Sequence, residues 1–388
     1  MLSLLRVQTG RGLWVRGTAR AWECIPRGGA PSQDVIHGRF NACAIRLCPS
    51  VLIENVADIH PAKTNSKVGD GRRGGESSMN KLPSSGRGST GRVAGLIYDY
   101  AELTKLRVTT LIVMTAWCGY FLAARKAGIP ALTWGLFHAL LGIGLVSAGT
   151  AALNEVLERD TDRQMRRTAS RPLPAGRMSL LHAALAGILL TAGGSLYLAV
   201  FSNILTGSLT CLTAVVYLAA YTPLKRVSPF CTFVGAFPGA MPGVLGWAAV
   251  RERLEWETLV LFAILFLWQF PHFFSIEWLY REDYESGGIR MLPVVKPDGR
   301  STAARILLYS ALLIPVSLLP SLTGMTGRAY MLGAAVLGLG LLYFGSRLAA
   351  LRMPLASAKS KLRARQLLQA TIVYLPILLV LMMFNSTR

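Results

Sequence analysis

From residue 107 onward, uncharged apolar stretches alternate with short polar clusters. Eight windows contain no Asp, Glu, Lys or Arg: residues 108–124, 127–154, 178–224, 227–250, 258–276, 306–327, 329–346 and 366–387. A helix that crosses a bilayer needs about 20 apolar residues, so seven of the windows each predict one spanning helix. The third window is long enough for two, and Ser202-Asn203 near its centre predicts a tight turn between them. The chain therefore reads as all-α, a polytopic membrane protein built as a bundle of nine transmembrane helices. Gly235, Pro238, Gly239, Pro242 and Gly243 fall inside the fifth span. Bundled membrane helices tolerate such residues because neighbouring helices re-satisfy freed backbone groups. Buried helices of a soluble core would have to repeat the uncharged pattern nine times.

Composition supports the pattern. Hydrophobic residues make up 52% of the chain and charged residues 16%, against about 25% charged in soluble proteins. The formal charge is nonetheless +21. Bunched charge between long apolar windows excludes a soluble enzyme and a nucleic-acid-binding domain, so no nucleic-acid partner is expected.

Residues 1–92 differ from the rest, with 14 basic and 6 acidic residues and no long apolar run. Arg6, Arg11, Arg16 and Arg20 precede the first acidic residue. An Arg-rich, acid-free start without a continuous apolar region has the character of an organelle transit peptide, not of a secretory signal. An ordinary basic extension is the plain alternative. The expected organisation is a mitochondrial transit peptide and disordered basic linker over 1–92, then a nine-helix intramembrane domain over 93–388. Cys24, Cys43, Cys48, Cys118, Cys211 and Cys231 have no metal-ligand spacing and read as packing residues.

Charge is also asymmetric across the bundle. Of the Lys and Arg after residue 92, 21 fall on the side of the N-terminal flank and loops 2–3, 4–5, 6–7 and 8–9 between the predicted spans. The opposite side has six: Arg125, Lys126, Arg251, Arg253, Arg328 and Arg388. The positive-inside rule puts the first side in the cytoplasm-equivalent compartment, which is the matrix for a mitochondrial inner-membrane protein. Acidic residues follow the same bias, 11 against three, which orientation alone does not require. Loops 2–3 and 6–7 thus combine both signs beside membrane helices. That mixture suits a polyanion bridged by divalent cations, with carboxylates on the metal and Lys or Arg on the remaining phosphate oxygens.

In loop 2–3, Asn154, Glu158 and Asp162 are spaced i, i+4, i+8. On a helix they form one stripe that drifts about 40° per step. Three oxygen-bearing side chains on one face suit Mg²⁺, with substrate phosphates completing its shell. A solvated charged helix end is the plain alternative, but like charges at i,i+4 repel. Lys225 and Arg226 follow the fourth span; positive-inside anchoring explains them as readily as phosphate binding does. Arg167 and Arg171 invite the phosphate role too, and Lys105 and Arg107 before span 1 divide between anchoring and substrate binding.

The run Asn154–Leu173, followed by Tyr221-Thr222-Pro223-Leu224-Lys225-Arg226, resembles the UbiA-type intramembrane prenyltransferases, and within them the branch that farnesylates protohaem IX. Leu103–Val108, Pro238–Pro242, Trp268–Phe274, Arg281–Tyr284, Met291–Val294 and Tyr374–Pro376 extend the match over 95–385. The resemblance implies a nine-helix bundle with two acidic motifs on one membrane face, binding Mg²⁺ and an isoprenyl diphosphate. Asn154, Glu158 and Asp162 match the first motif, with Glu158 where Asp is more usual. Asp283 matches the second member of the second motif, but Leu279 replaces the first, as in the haem-modifying branch. Tyr221 and Lys225 match a Tyr-x-x-x-Lys position.

What the resemblance implies about activity is farnesyl transfer from farnesyl diphosphate to a vinyl group of haem B, making haem O, with Mg²⁺ as cofactor. Asn154, Glu158, Asp162 and Asp283 would form the metal and catalytic set. Lys225, Arg226, Arg167, Arg171, Lys105, Arg107 and Tyr221 would bind diphosphate. His272 is open between a haem contact, a base and a partner for backbone freed by Pro271. Expected partners are the two substrates, the lipid bilayer, and proteins of haem A synthesis or cytochrome oxidase assembly. Prenyl transfer to a quinone precursor and a non-catalytic haem assembly factor are the alternatives. An anion transporter would place charge near mid-span, and the sequence has none there.

Overall fold

The computed structural model describes residues 7–8, 14–18, 21–25, 89–351 and 355–387. The first three stretches form an antiparallel meander, β1 (Val7–Gln8), β2 (Trp14–Thr18) and β3 (Ala21–Ile25), with Arg16 in register with Glu23. Trp, Val, Thr and Ile give these segments strand propensity, which the sequence analysis passed over. The rest of the expected leader and linker, with Cys43 and Cys48, lies outside the described residues.

The remaining unit begins with α1 (Ser89–Leu103), a helix the sequence analysis did not anticipate. Spanning helices follow: α2 (Leu106–Ala127), α3 (Trp134–Gln164), α4 (Leu180–Phe201), α5 (Ile204–Leu224), α6 (Cys231–Arg251) and α7 (Trp256–Leu279). Two short helices, α8 (Arg281–Ser286) and α9 (Leu292–Val295), fill the next connection. The last spans are α10 (Arg300–Leu322), α11 (Arg328–Ala349) and α12 (Ala358–Phe384). Among the described residues, then, nine helices are long and apolar enough to cross a membrane, as the charge-free windows predict. The long third window breaks at Ser202-Asn203, where Asn203 Oδ1 accepts from the Thr206 N–H at 2.8 Å and caps α5.

Small residues let the helices approach closely. A Cβ at Gly149 of α3 would run into Thr191 and the Gly187 carbonyl of α4, and one at Gly246 of α6 would strike the Ala116 carbonyl of α2. Packing of this kind drives association where lipid tails offer no hydrophobic gradient. Trp247, Phe270, Phe274, Tyr330 and Tyr374 are fully buried between α6, α7, α10, α11 and α12. Leu189 and Leu196 on α4 and Leu332, Val336 and Leu339 on α11 point outward, as lipid-facing residues do.

The feature that positions the chemistry is the length of α3. Its 31 residues extend roughly 46 Å, well past a hydrocarbon core of about 30 Å. Its last turns therefore stand at one end of the bundle. Successive spans alternate in direction, so the start of α2 and the ends of α5 and α7 gather at that same end.

Candidate active site

Asn154, Glu158 and Asp162 lie on one face of the last turns of α3, and all three are buried. Each meets a cation from a different part of the chain. Lys105 Nζ donates to Asn154 Oδ1 at 2.7 Å, Lys225 Nζ to Glu158 Oε1 at 2.7 Å, and Arg171 to Asp162 Oδ2 at 2.7 Å. Buried carboxylates require compensating charge, and the flanking loops supply it as a ladder beside the stripe. The like-charge repulsion expected along the face is relieved in this way.

Each cation is placed by its own local device. Lys105 joins α1 to α2 in the left-handed conformation, φ 47°, at a cost of roughly 1–2 kcal/mol for a non-glycine residue. Burial, and then the Arg171 charge, lower its pKa to about 7. Arg171 follows a turn that Thr168 ties to α3 through a 3.0 Å bond from its hydroxyl to the Asp162 carbonyl. Burial opposes the Arg171 charge, but Asp162 outweighs it and raises the pKa.

Lys225 stands after a wide π-type turn, Val216–Tyr221, near the end of α5. The Thr222 N–H and hydroxyl both reach the Tyr217 carbonyl there, the hydroxyl at 2.9 Å. Such turns recur at functional sites. This one brings Tyr217 against Tyr221 with the rings tilted and their centroids 5.2 Å apart, and sets Lys225 Nζ 4.4 Å from the Tyr221 ring. Burial opposes the Lys225 charge, yet Tyr221 and Glu158 hold its pKa well above the ordinary value. Asn154 Nδ2 donates to the Thr222 hydroxyl at 3.2 Å, and Arg226 donates to Thr161 of α3.

The connection after α7 closes over these groups. Ser286 Oγ donates to the Gln164 carbonyl at 3.1 Å, and the Arg290 N–H to the Lys225 carbonyl at 2.8 Å. Arg167 lies 5.1 Å from the Tyr280 ring and 5.9 Å from that of Tyr284. Asp283 sits half-buried on α8 and makes no side-chain hydrogen bond or ion pair with the α3 stripe among the described residues. Arg107 is exposed beside Lys105 and does not join the ladder. His272 Nδ1 meets the Thr371 hydroxyl of α12 at 2.8 Å, and its ring stacks on Trp268 at 5.0 Å. It does not serve the backbone freed by Pro271.

The sequence analysis missed Glu155. It is fully buried one residue off the stripe, and its Oε1 accepts from the Leu173 N–H at 3.2 Å. It thereby fixes the turn that carries Arg171. Its neighbour in sequence, the carboxamide of Asn154, gave the only local signal.

Among the described residues, no three Asp, Glu, His or Cys side chains converge as ready metal ligands. The stripe is engaged with cations instead. The donor set nonetheless fits a hard divalent cation. Asp162 Oδ1 and Glu155 Oε2 are buried carboxylate oxygens with no hydrogen-bond partner, and oxygen donors of this kind suit Mg²⁺. Alternating carboxylates and cations at a half-enclosed membrane surface can hold a metal-bridged polyanion.

The UbiA prenyltransferase family model matches residues 112–382. A "Protoheme IX farnesyltransferase" of Koribacter versatilis is 57% identical over 295 residues, covering 76% of this chain and 95% of its own length. A mitochondrial one of Arabidopsis thaliana is 34% identical over 289 residues, covering 74% of this chain and 65% of its own length. Among solved structures, an apo UbiA homologue from Aeropyrum pernix K1 superposes with a TM-score of 0.53 at 18% identity, covering 70% of this chain and 97% of that one. A UbiA homologue from Archaeoglobus fulgidus bound to DMAPP and Mg²⁺ gives 0.50 at 15% identity, covering 72% and 99%.

Proposed function

The chain belongs to the UbiA prenyltransferase family, and from that premise we propose that it transfers a farnesyl group from farnesyl diphosphate to a vinyl group of protohaem IX, making haem O. The observation that carries the acceptor is the 57% identity to a protein named for that reaction, over nearly its whole length. The ladder of buried oxygens and cations at one end of the bundle supports the diphosphate half of the reaction.

In this reading Asn154, Glu158, Asp162 and Asp283 would hold Mg²⁺, which would supply electrostatic stabilisation of charge on the departing diphosphate. The Mg²⁺ and prenyl ligand of the Archaeoglobus homologue support the metal. Lys105, Lys225 and Arg171 already touch the stripe. They exchange their carboxylate and carboxamide partners for diphosphate oxygens as substrate enters, with Arg226 and Arg167 at the rim. The Tyr217–Tyr221 ring pair beside Lys225 offers an apolar, electron-rich wall to the allylic carbon as it becomes positive. Latched to α3 and Lys225 by Ser286 and Arg290, the α8–α9 connection keeps bulk water from that carbon until the vinyl group attacks.

His272 contacts the haem in this reading. His272→Ala is expected to weaken haem binding, read from the Soret band, while farnesyl diphosphate binding is unchanged. An unaltered haem titration would remove the assignment.

The protein is a multi-pass membrane protein. We place it in the mitochondrial inner membrane with the site facing the matrix; the Arg-rich start, the charge asymmetry and the mitochondrial Arabidopsis relative support this. Residues 1–92 fused to a reporter should direct it into mitochondria and be cleaved there. A reporter left in the cytosol would reject the targeting role and leave the orientation of the bundle untouched.

The reaction is tested by product analysis on purified protein given haem B and farnesyl diphosphate, with Mg²⁺ or with chelator. A metal-dependent hydroxyethylfarnesyl adduct of haem is expected. Transfer to a quinone precursor, with none to haem, would move the function to a sister branch of the family.

A further inference from the structure

At the end of the bundle opposite the candidate active site, a cavity of about 220 Å³ opens beside the C-terminal end of α2, the first turn of α7 and the C-terminal residues after α12. Arg125, Lys126, Trp247, Trp256 and Glu257 line it, and Thr387 forms part of the far wall. Thr387 is held there by a 2.5 Å bond from its hydroxyl to the Gly324 carbonyl and by the pairing of Thr326 with Ser386.

Glu257 is only 4% exposed. Its Oε1 accepts from Lys126, while its Oε2 is buried without a hydrogen-bond partner. The nearby cations are committed elsewhere. Lys126 also reaches Glu255 at 3.4 Å, and Arg251 and Arg253 bind Glu255 at 3.0 and 3.1 Å. Arg125, on the cavity wall, is exposed, and its guanidinium forms no hydrogen bond or ion pair among the described residues. The cavity thus offers two unmet groups of opposite sign, an inner carboxylate oxygen and a guanidinium at the wall.

A ligand that satisfies both carries N–H donors on a cation, with an anion a few bonds away. The cavity lies where α2 and α7 leave the bilayer, and the partly exposed Trp256 at its edge is a residue type favoured at that level. Its volume equals about seven waters, enough for a lipid head and too little for a prenyl chain or a porphyrin. We propose that this cavity binds the head of a primary aminophospholipid, phosphatidylethanolamine, with the ammonium on Glu257 Oε2 and the phosphate on Arg125. The acyl chains then lie along the lipid-facing sides of the bundle.

The test is native mass spectrometry of the delipidated full chain with added phosphatidylethanolamine, phosphatidylcholine or phosphatidylglycerol, alongside soluble phosphoethanolamine. Phosphatidylethanolamine is expected to bind about tenfold or more tightly than phosphatidylcholine, whose quaternary ammonium has no N–H to donate. Glu257→Gln and Arg125→Ala should each lose a similar factor and retain prenyl transfer. Because Arg125 is exposed, its variant keeps the test open if Glu257→Gln misfolds. Equal binding of the three lipids, or unchanged selectivity in both variants, would overturn the proposal. Soluble phosphoethanolamine binding as tightly as the lipid would reject a lipid site in favour of a free zwitterion.

Discussion

At the scale of single residues, the candidate site is a set of exchangeable charge pairs. Asp162 has one oxygen on Arg171 and one buried without a partner. Asp162→Asn keeps the shape and a weaker acceptor for Arg171, but removes the charge a metal needs. It is expected to lower kcat/KM by about 100-fold or more in protein that remains folded and monodisperse; retained activity would remove the metal-site reading. Lys225 and Glu158 form a pair in which each side chain is 11% exposed. Removing one partner of a buried pair costs about 3–5 kcal/mol, so Lys225→Met should depress thermal stability. Adding Glu158→Gln should restore part of the loss, because the orphaned charge goes too. If the two losses simply add, the pair is not coupled in this way. The spacing of the stripe was legible in sequence because i, i+4, i+8 is a local property of a helix. The partners were not, since Lys105 lies 49 residues from Asn154 and Lys225 lies 67 from Glu158.

At the scale of elements, the wide turn in α5 and the connection between α6 and α7 show how helix ends carry fixed charge. The α5 turn places two tyrosines and a lysine in one cluster. The sequence marked this place only by Tyr221, Pro223 and Lys225. At the other membrane face, Glu255 is held down to about 2, first by its hydrogen bond from Arg251 and further by Trp247 and Lys126. A carboxylate whose folded pKa is depressed stabilises the fold above its ordinary value and loses that contribution as pH falls through the folded one. Stability from Glu255 is thus complete above pH 4.5 and fades towards pH 2. Melting temperatures measured across that window should fall less steeply in Glu255→Gln than in the parent. Parallel curves would place the acid sensitivity elsewhere.

At the scale of the whole molecule, the two ends of the bundle differ in chemistry. The end with the long α3 carries the stripe, its cations and the latching α8–α9 connection, while the other carries the Glu255–Glu257 cluster. The positive-inside bias predicts a fixed orientation. In sealed vesicles of one orientation, an impermeant thiol reagent should label Lys361→Cys and Arg253→Cys from opposite faces. Both positions are partly exposed, 38% and 64% at the side chain. Labelling of both from one face would refute the nine-span topology.

The sequence by itself determined the spans, the Ser202-Asn203 break, the richer membrane face and the acidic stripe. Each depends on residues close in the chain, read against a solvent that excludes charge and demands internally satisfied backbone. Only the tertiary structure decided that Asn154, Glu158 and Asp162 are paired with Lys105, Lys225 and Arg171, and that Glu155 anchors the Arg171 turn. It alone assembled the Glu257 cavity from five separate segments and left Asp283 and Arg107 apart from the ladder. Apolar length fixes where a helix lies in the bilayer, but not its rotation or its neighbours. Those follow from contacts such as Gly246 against Ala116 and Gly149 against Gly187, which bring distant side chains within bonding reach.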